Sequence, residues 1–366
     1  MNNKIYIIQP SLPKYREDFF NRLYSYFKKN LLVVYSLDSK NIKFSKSWLH
    51  HVGRVKNILG IFFWQPEVIT LRFKPKDIII LSGNPRFFST LFLLLKAKLI
   101  GSKVVWWGHY RSSSTQRWRQ ILRFFFMAIA DSLIFYTDEE IKNFKTDKFT
   151  LNKNRYITAL NNGIDIAPVK KFRKKYISNK RLNELLFIGS LTKKANLKIS
   201  LYALFLLKNK NLTLHIVGDG EQRQKLHSLS KKLSLDKFVV WHGSIMNEEK
   251  IAKIANRCKG FLYPGAVGLS LIHAMAYGLP ALVHEQRNKH MPEIAAFKSG
   301  KTGLVFRYNN INSLVLKIKK ILSNDLNNDL YSQKAIKIVE ANYNTAVMAE
   351  RFISLIKKIK KRYNIV

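Results

Sequence analysis

Short apolar runs rich in β-branched and aromatic residues alternate with amphipathic stretches along most of this 366-residue chain. The runs are apolar at nearly every position, which is typical of strands buried on both faces of a parallel sheet. Parallel strands need helical crossovers, and the intervening stretches, such as residues 15–28 and 115–131, have helical spacing. The alternation therefore predicts an α/β fold. The runs interpreted as strands are KIYIIQ, LLVVYSL, DIIILSG, KVVWWGH, SLIFYT and RYITAL, then ELLFIGS, LTLHIVGDG, FVVWHGS, GFLYPG and PALVHE.

The alternation is interrupted at residues 161–183, a polar and basic segment without a clear period. We interpret its latter part as an interdomain linker. This predicts two Rossmann-like domains, residues 1–168 and 180–345, facing each other across a cleft. Residues 346–366 are predicted to add a basic amphipathic helix, which packs either back on the first domain or on its own domain.

The formal net charge of +41 indicates an anionic partner: lipid head groups, nucleic acid or phosphate-bearing substrates. A coding bias towards Lys, Asn and Ile is the alternative explanation. Basic residues alternate with bulky apolar ones in residues 84–103 and 118–130. These stretches are interpreted either as helices lying on an anionic membrane surface or as core helices packed on a sheet.

No apolar run approaches the ~18 residues that would indicate a membrane span. The first residues, MNNKIYIIQP, are expected to form a core strand rather than a secretory signal. The single cysteine, Cys258, excludes an internal disulfide and a multi-cysteine metal site. We therefore expect a protein of the reducing cytoplasm, peripheral on the inner face of the cytoplasmic membrane.

Glycines follow four strand-like runs of the second half. In open α/β sheets, ligands bind beyond the carboxyl ends of the strands, where helix N-termini present free N–H groups. We therefore expect these loops to converge on one phosphate-binding site. The glycines are Gly189, Gly218 with Gly220, Gly243, and Gly265 with Gly268.

Six motifs, in this order, carry a family resemblance: NNGID, FIGSLTKKANL, LHIVGDGEQRQKL, VVWHGSI, GLSLIHAMAYGLP and PEIAAFKSGKTGLVF, between residues 161 and 306. With them the chain resembles the retaining group 1 (family 4) glycosyltransferases of the GT-B fold, which include bacterial surface-polysaccharide and lipopolysaccharide sugar transferases. The first half is only compatible with that fold.

The resemblance implies transfer of a sugar from a nucleotide diphosphate donor, held mainly by the second domain. It implies that Lys194, or alternatively Lys193, contacts the diphosphate, while Ser190 stands where the family has an arginine. Main chain near Gly243 is implied to meet the base, and His242 either adds a side-chain contact to it or is a partly buried structural residue. The donor-binding residues implied are Gly189, Ser190, Lys193, Lys194, Gly218, His242, Gly243, Gly265, Val267, Gly268, Leu269, Ser270, His273 and Glu293.

Two positions depart from the family pattern, because Gly265 and His273 stand where the family has two glutamates. His273 can still hydrogen-bond a ribose hydroxyl. Glu293, or Glu285 with His290, can meet sugar hydroxyls in place of the missing carboxylate. The alternative for Glu293 is a charge that stabilises a helix N-terminus.

In the first domain, His109 ends a strand-like run, and the resemblance places such a histidine at the cleft, near donor or acceptor sugar. With Lys194 it is our candidate catalytic residue; a structural histidine is the alternative. Arg16 is a candidate anion contact, and Tyr110 and Thr137 are candidate cleft or acceptor residues.

An Asp-x-Asp metal motif is missing from the sequence, so basic side chains and helix N-termini are expected to stabilise the leaving diphosphate without a metal or another cofactor. The expected partners are a nucleotide sugar, a glycan or lipid-linked acceptor and an anionic membrane surface. One alternative is a catalytically degenerate scaffold protein. Nucleic-acid binding is not expected, since no recognition motif accompanies the charge.

Overall fold

The computed structural model describes residues 3–36, 46–111, 117–147, 154–207, 211–323 and 327–365. They form two compact α/β units. The first comprises Met1–Asn161 with Thr345–Val366, and the second comprises Asn162–Asn344. The predicted fold class, an α/β protein with two Rossmann-like domains, is confirmed.

Each unit is built on one parallel sheet. The first unit contributes strands β1 Ile5–Gln9, β2 Leu31–Tyr35, β3 Leu49–His51, β4 Lys56–Ile58, β5 Phe62–Trp64, β6 Ile78–Ser82, β7 Lys103–Trp107, β8 Ser132–Phe135 and β9 Tyr156–Ala159. The second contributes β10 Leu182–Ile188, β11 Thr213–Val217, β12 Val239–Gly243, β13 Cys258–Leu262, β14 Ala281–His284 and β15 Gly303–Phe306. The sheet orders are β3-β2-β1-β6-β7-β8-β9 and β12-β11-β10-β13-β14-β15, while β4 and β5 form a separate antiparallel hairpin.

Helices connect the strands and cover the sheets. Those of the first unit are α1 Glu17–Phe27, α2 Phe88–Ile100, α3 Arg117–Ile129 and α4 Asp138–Thr146. Those of the second are α5 Ala167–Phe172, α6 Lys198–Leu207, α7 Arg223–Lys232, α8 Glu248–Ala255, α9 Leu269–Ala276, α10 Ile311–Leu322 and α11 Asn328–Asn342. The last helix, α12 Thr345–Arg362, belongs to the first unit.

All eleven runs interpreted as strands form strands; Leu37, at the end of one of them, and the start of the predicted helix at residues 115–116 lie outside the described residues. The structure adds β3, the β4–β5 hairpin and β15. β3 and β4 are three residues long and mostly exposed, so they lack the continuous apolar pattern that marks a buried strand. β5 and β15 are apolar runs of only three and four residues, and β15 is buried at three of its four positions.

The apolar strand runs reflect burial on both faces of each sheet. In β1, Ile5 and Ile7 pack into the core beneath α1 and α12, while Tyr6 and Ile8 pack into the core beneath α2 and α3. Successive strand side chains point to opposite faces, so a sheet covered twice needs apolar residues at both parities.

The helix α12 completes one core of the first unit. The Phe352 ring is fully buried, with its centroid 6.0 Å from that of Phe19 and 6.4 Å from that of Phe27. Arg351 donates to the carboxylate of Asp138 at 2.9 Å. The sequence left open whether this helix packs on the first domain or on its own domain. In the structure it packs on the first unit.

The segment interpreted as a linker is packed on the second unit. Val169 and Tyr176 lie in its core, and the Tyr176 hydroxyl donates to the Lys259 carbonyl at 2.7 Å. Arg173 donates to the Ala276 carbonyl at 2.8 Å. The second unit therefore begins at Asn162, earlier than the expected residue 180, because isolated apolar side chains in a basic segment are anchored by tertiary contacts.

We predict that Phe352→Ala lowers the free energy of unfolding of the first unit by about 3–5 kcal/mol, since it leaves a cavity between α12 and α1. Urea denaturation followed by circular dichroism measures it. Leu99→Ala, at a position of α2 that is 89% exposed, should stay within about 0.5 kcal/mol of wild type. A loss below about 1 kcal/mol for Phe352→Ala would contradict the role given to α12.

Candidate active site

The second sheet has a topological switch point between β10 and β13. The chain adds β11 and β12 on one side of β10, then returns to add β13, β14 and β15 on the other. The loops after β10 and β13 thus diverge over opposite halves of the sheet, which is where open α/β sheets bind ligands. Both loops carry predicted donor-binding residues.

Three of the glycine loops are in direct contact at this edge. The Gly218 N–H donates to the Gly243 carbonyl at 2.7 Å. A β-carbon at Gly218 would lie 1.9 Å from the Gly189 carbonyl oxygen, and the residue has a φ of +147°, so only glycine fits. The structure therefore brings the loops after β10, β11 and β12 together.

The fourth glycine loop packs on the turn that carries the candidate lysines. The Ala266 N–H donates to the Lys194 carbonyl at 2.9 Å, and a β-carbon at Gly265 would lie 2.0 Å from that same oxygen. A glutamate at position 265 would require this backbone to move. The side chains of Lys193 and Lys194 are exposed, as is Ser190.

The helix α9 begins directly after Gly268 in this loop cluster. A β-carbon at Gly189 would lie 3.1 Å from Ser270 Oγ, so the start of α9, with Leu269 and Ser270, borders the loop after β10. Free N–H groups in the first turn of a helix attract phosphate. The arrangement can hold a diphosphate between the N-terminus of α9 and the lysine turn.

Glu293 is buried beside the start of α9. Its Oε1 accepts a hydrogen bond from Asn162 Nδ2 at 3.0 Å, and its Oε2 lies 3.5 Å from the place of a β-carbon on Gly268. A carboxylate at this position stabilises the positive end of the helix dipole. Of the two interpretations of Glu293, this geometry favours the charge at a helix N-terminus.

His273 is hydrogen-bonded to a carboxylate that the sequence motifs did not reveal. Its Nε2 lies 2.7 Å from Glu248 Oε1, and the Tyr277 hydroxyl donates to the same oxygen at 2.6 Å. Burial disfavours the charged carboxylate, yet the hydrogen bonds from His273 and Tyr277 outweigh it and lower the pKa of Glu248. An ionised carboxylate is therefore present next to position 273, supplied by the first residue of α8.

Two histidines, His284 and His290, pack against the loop that precedes α9. The ring of the fully buried His284 stacks on that of His290, with centroids 3.8 Å apart. His290 Nε2 donates to the His284 carbonyl at 3.0 Å, and His290 Nδ1 accepts from the N–H of the buried Val267 at 3.2 Å. Glu285 is exposed and accepts from the Tyr308 N–H at 3.0 Å, so it holds a turn.

His242 pairs with a second histidine of the sheet. Its Nε2 lies 3.0 Å from His215 Nδ1. His215 belongs, with Glu184 and Cys258, to the one group of metal-ligand side chains in the described chain that lies within 4.8 Å. Cys258 begins β13 at the edge opposite the glycine loops, and Arg257 pairs with Glu184. The group is therefore part of the buried packing; Cys258 lies at the far end of its strand, and His215 connects the group to His242.

The first unit has its own cavity at the equivalent switch point, between β1 and β6. His109 and Arg16 line it. His109 Nδ1 lies 3.1 Å from Glu140 Oε1, and its ring packs on Tyr136 with centroids 4.3 Å apart. A carboxylate that accepts from Nδ1 leaves Nε2 free to accept a hydrogen bond.

Tyr110 and Thr137 do not line this cavity, which corrects the prediction that they are cleft residues. The Tyr110 ring is buried among Phe124, Phe135 and Phe144, and its hydroxyl donates to Asp147. Burial and that hydrogen bond raise the pKa of Tyr110 to about 12. Thr137 is the N-cap of α4 in a capping box with Glu140.

The family model described as "Glycosyl transferases group 1" matches residues 168–362, more than half of the chain. The chain belongs to the group 1 glycosyltransferase family. The match begins at the segment packed on the second unit and runs through the glycine loops into α12.

The proteins to which this glycosyltransferase is similar share less than a quarter of their residues with it in the aligned regions. A poly(ribitol-phosphate) α-N-acetylglucosaminyltransferase of Staphylococcus aureus is 24% identical over 164 residues, covering 45% of this chain and only 33% of the relative. An uncharacterised glycosyltransferase of Methanocaldococcus jannaschii is 22% identical over 386 residues, covering 98% and 91%. The crystal structure of Anabaena HepE with UDP and glucose has a TM-score of 0.69 at 13% identity, covering 97% and 100%. This likeness shows the GT-B fold. In the described residues, no helix combines the length and the apolar character needed to span a bilayer.

Sequence reasoning missed Glu248 and three arginines of the first cavity, Arg86, Arg119 and Arg123. The residues Asn247 and Glu248 do signal a helix start. Arg123 stands on the apolar face of α3 beside Phe126 and Met127. The arginine on the otherwise apolar face of α3 was therefore the sequence signal that could have revealed the cavity. The pairing of Glu248 with His273 had no such signal, because the two residues lie 25 positions apart on different helices.

We predict a pH-dependent stability that originates at His284. Burial, with the charges of His290 and Lys289, lowers the pKa of His284 to about 3. The unfolded chain therefore takes up a proton below about pH 6.5 that the folded chain refuses, and stability falls by about 1.4 kcal/mol per pH unit as pH decreases towards 3. His284→Leu should remove about 2 kcal/mol of the loss between pH 6.5 and 5 in urea denaturation. The exposed His50→Leu is the control, and equal pH dependence in wild type and His284→Leu would refute the prediction.

Proposed function

We propose that this group 1 glycosyltransferase moves a sugar from a nucleotide diphosphate sugar to a hydroxyl of a lipid-linked or surface-glycan acceptor in bacterial polysaccharide or lipopolysaccharide biosynthesis. The meeting of four glycine loops, the lysine turn and the start of α9 at one switch point carries the proposal. Two similar proteins agree with it, since one was crystallised in complex with UDP and glucose and the other is a poly(ribitol-phosphate) α-N-acetylglucosaminyltransferase.

The leaving diphosphate is stabilised by backbone N–H groups and lysine. The main requirement of this reaction is to balance the charge that develops on the diphosphate, which preorganised donors can do without a metal. The first-turn N–H groups of α9 and the ammonium group of Lys194 or Lys193 take this role. His109, oriented by Glu140, is the catalytic candidate of the first unit and meets a sugar or acceptor hydroxyl through Nε2.

The nucleotide ribose is held by the Glu248–His273 pair. A family glutamate at position 273 would present a carboxylate directly; here the carboxylate of Glu248 lies 2.7 Å from His273 Nε2. Because Tyr277 also donates to Glu248 Oε1, the second oxygen, Oε2, is left to accept from a ribose hydroxyl. The pair therefore keeps a hydrogen-bond acceptor beside position 273.

Donor binding and turnover test this proposal. A panel of UDP-, GDP- and CMP-sugars, in EDTA-containing buffer, should include one that raises the melting temperature and is turned over with a suitable acceptor. Lys194→Ala should weaken the affinity for that donor about 10-fold or more, because one charge-assisted hydrogen bond is worth ~1.5–3 kcal/mol. Lys319→Ala, an exposed lysine of α10, is the control. Stabilisation without turnover would favour the degenerate scaffold, and a panel without effect would refute the proposal.

Membrane association is the second part of the proposal, and an exposed apolar surface of the first unit supports it. We call it the hairpin surface; it comprises the β4–β5 hairpin and the outer sides of α2 and α3. Phe62 of the hairpin packs on Phe88 of α2 and on Trp118 of α3, each with centroids 5.4 Å apart. Its exposed apolar side chains are Ile58, Leu59, Ile61, Phe88, Phe92, Leu95, Leu99, Ile121 and Phe125.

The two interpretations of residues 84–103 and 118–130 concern different faces of the same helices: the buried faces belong to the core, and we propose that the exposed faces contact the membrane. Leu93, Leu94 and Ala97 of α2 are core residues, whereas Phe92 and Leu99, on the other side, are exposed. With a net charge of +41, an anionic bilayer is the surface that complements such an apolar and basic face. The proposed location is accordingly the inner face of the cytoplasmic membrane.

We predict that the chain sediments with phosphatidylglycerol vesicles but not with phosphatidylcholine vesicles. Leu59→Ser combined with Ile121→Ser, at side chains that are 87% and 67% exposed, should reduce binding about 5-fold or more by removing buried apolar area. Leu316→Ser, 64% exposed on α10, should bind like wild type. If the double variant and Leu316→Ser bind the vesicles equally well, the hairpin surface is not the membrane contact.

A further inference from the structure

The cavity of the first unit has a volume of about 490 Å³. The loops after β1, β6, β7 and β8 form its walls together with α3. That volume is within the ~300–1,000 Å³ typical of small-molecule sites, and the place is the switch point of the sheet. The cavity thus has the position and the size of a small-molecule binding site.

Four arginines line this cavity: Arg16, Arg86, Arg119 and Arg123. None of its described lining residues is a carboxylate. Arg16 is only 7% exposed and Arg123 only 5% exposed. Arg86 is held in place by the hairpin, where its Nε donates to the Ile61 carbonyl at 2.9 Å. The cavity therefore concentrates positive charge in a partly desolvated place.

Three of these guanidinium groups are incompletely satisfied. The buried Nε atoms of Arg16, Arg119 and Arg123 lack a hydrogen-bond partner in the described part of the chain. The hydrogen-bond partners that Arg16 and Arg123 do have are neutral: Gln9 Oε1 at 3.3 Å and Gln120 Oε1 at 2.8 Å. The carboxylate of Glu140 acts on Arg123 through space without an ion-pair contact. The ion pairs of the described residues include none of the three. Buried cations that repel one another cost free energy unless an anion joins them.

We propose that this cavity binds a phosphate or diphosphate group of the acceptor. The inference rests on the proposed function, because it identifies the substrate class of the sugar transfer. Guanidinium forks bind phosphate oxygens in pairs, and three or four of them match a group with two or more negative charges. A single carboxylate would leave most of that charge uncompensated.

The acceptor phosphate would lie next to the hairpin surface. Arg86 lines the cavity and also donates to the carbonyls of Gly60 and Ile61 near the tip of the hairpin. A phosphate carried by a membrane lipid can therefore reach the arginines while its chain stays at the apolar surface. A phosphate within a water-soluble glycan has the same chemistry, so the experiment must separate the two sources.

Calorimetric titration of the full chain with inorganic pyrophosphate, at constant ionic strength, tests the site. We expect binding that weakens about 10-fold or more in Arg119→Gln and in Arg123→Gln. Arg123→Lys should also weaken it, because it keeps the charge but loses the fork. Arg22→Gln, on α1 outside the cavity, should stay within twofold. Circular dichroism confirms folding, and the partly exposed Arg119 keeps the test valid if Arg123→Gln unfolds.

Variants of the two sites distinguish phosphate binding in the cavity of the first unit from donor binding in the second unit. Lys194→Ala should keep the arginine-dependent pyrophosphate binding, and Arg119→Gln should keep stabilisation by the nucleotide sugar. Should no nucleotide sugar bind, the proposed function fails while the phosphate site stands. Absence of pyrophosphate binding to wild type, or binding lost in Lys194→Ala and unchanged in both glutamine variants, would overturn the phosphate site.

Dodecyl phosphate, kept below its micelle concentration, and ethyl phosphate separate the two sources. Tighter binding of dodecyl phosphate by about 10-fold or more supports a lipid-borne phosphate. Equal affinities support the phosphate of a water-soluble acceptor. In both cases Arg119→Gln must weaken binding if the phosphate is bound in the cavity. Affinities that are the same in wild type and Arg119→Gln would contradict the proposed site.

Discussion

Burial of parallel strands on both faces is the constraint on which this structure depends. Each main sheet is parallel throughout, so every strand needs a crossover that covers one face or the other. All strands then end at one edge, and the loops that follow them are forced into contact. The approach of Gly218 to Gly189, and of Gly265 to Lys194, follows from this crowding and forms the candidate donor site.

The two positions at which the sequence departs from the expected family pattern have distinct surroundings in this glycosyltransferase. Position 265 is pressed against the lysine turn and has no room for a side chain. Position 273 is a histidine, but Glu248 brings a carboxylate to it from α8. The carboxylate beside position 273 thus comes from another element of the fold.

An excess of positive charge over negative charge is the second feature of this chain. The chain has 64 basic and 23 acidic residues, and its first unit concentrates arginines in a cavity at its own switch point. Backbone N–H groups and lysines in one unit, and guanidinium groups in the other, form the two phosphate sites that we propose. The apolar hairpin surface adjoins the second of these through Arg86.

Most of the fold could be predicted because core strands and helices have local periodicity. Nine of the eleven predicted strands are mostly buried, and the other two, β9 and β12, lie at sheet edges. The hairpin and β3 are short and depend on contacts with α2 or β2. The segment after residue 161 was misinterpreted because its few apolar residues, such as Val169 and Tyr176, find their partners far along the chain. Tyr110 and Thr137 follow strands as cavity residues do, but one turns into the core and the other caps α4.

By itself the sequence determined the α/β class, the two-unit organisation and the family, because these depend on periodicity and on motifs whose members are close along the chain. Only the tertiary structure decided that α12 completes the first unit, that Glu248 pairs with His273, and that four arginines share one cavity. Those arrangements depend on which distant side chains meet, and pairing through space leaves no periodic trace in the order of residues.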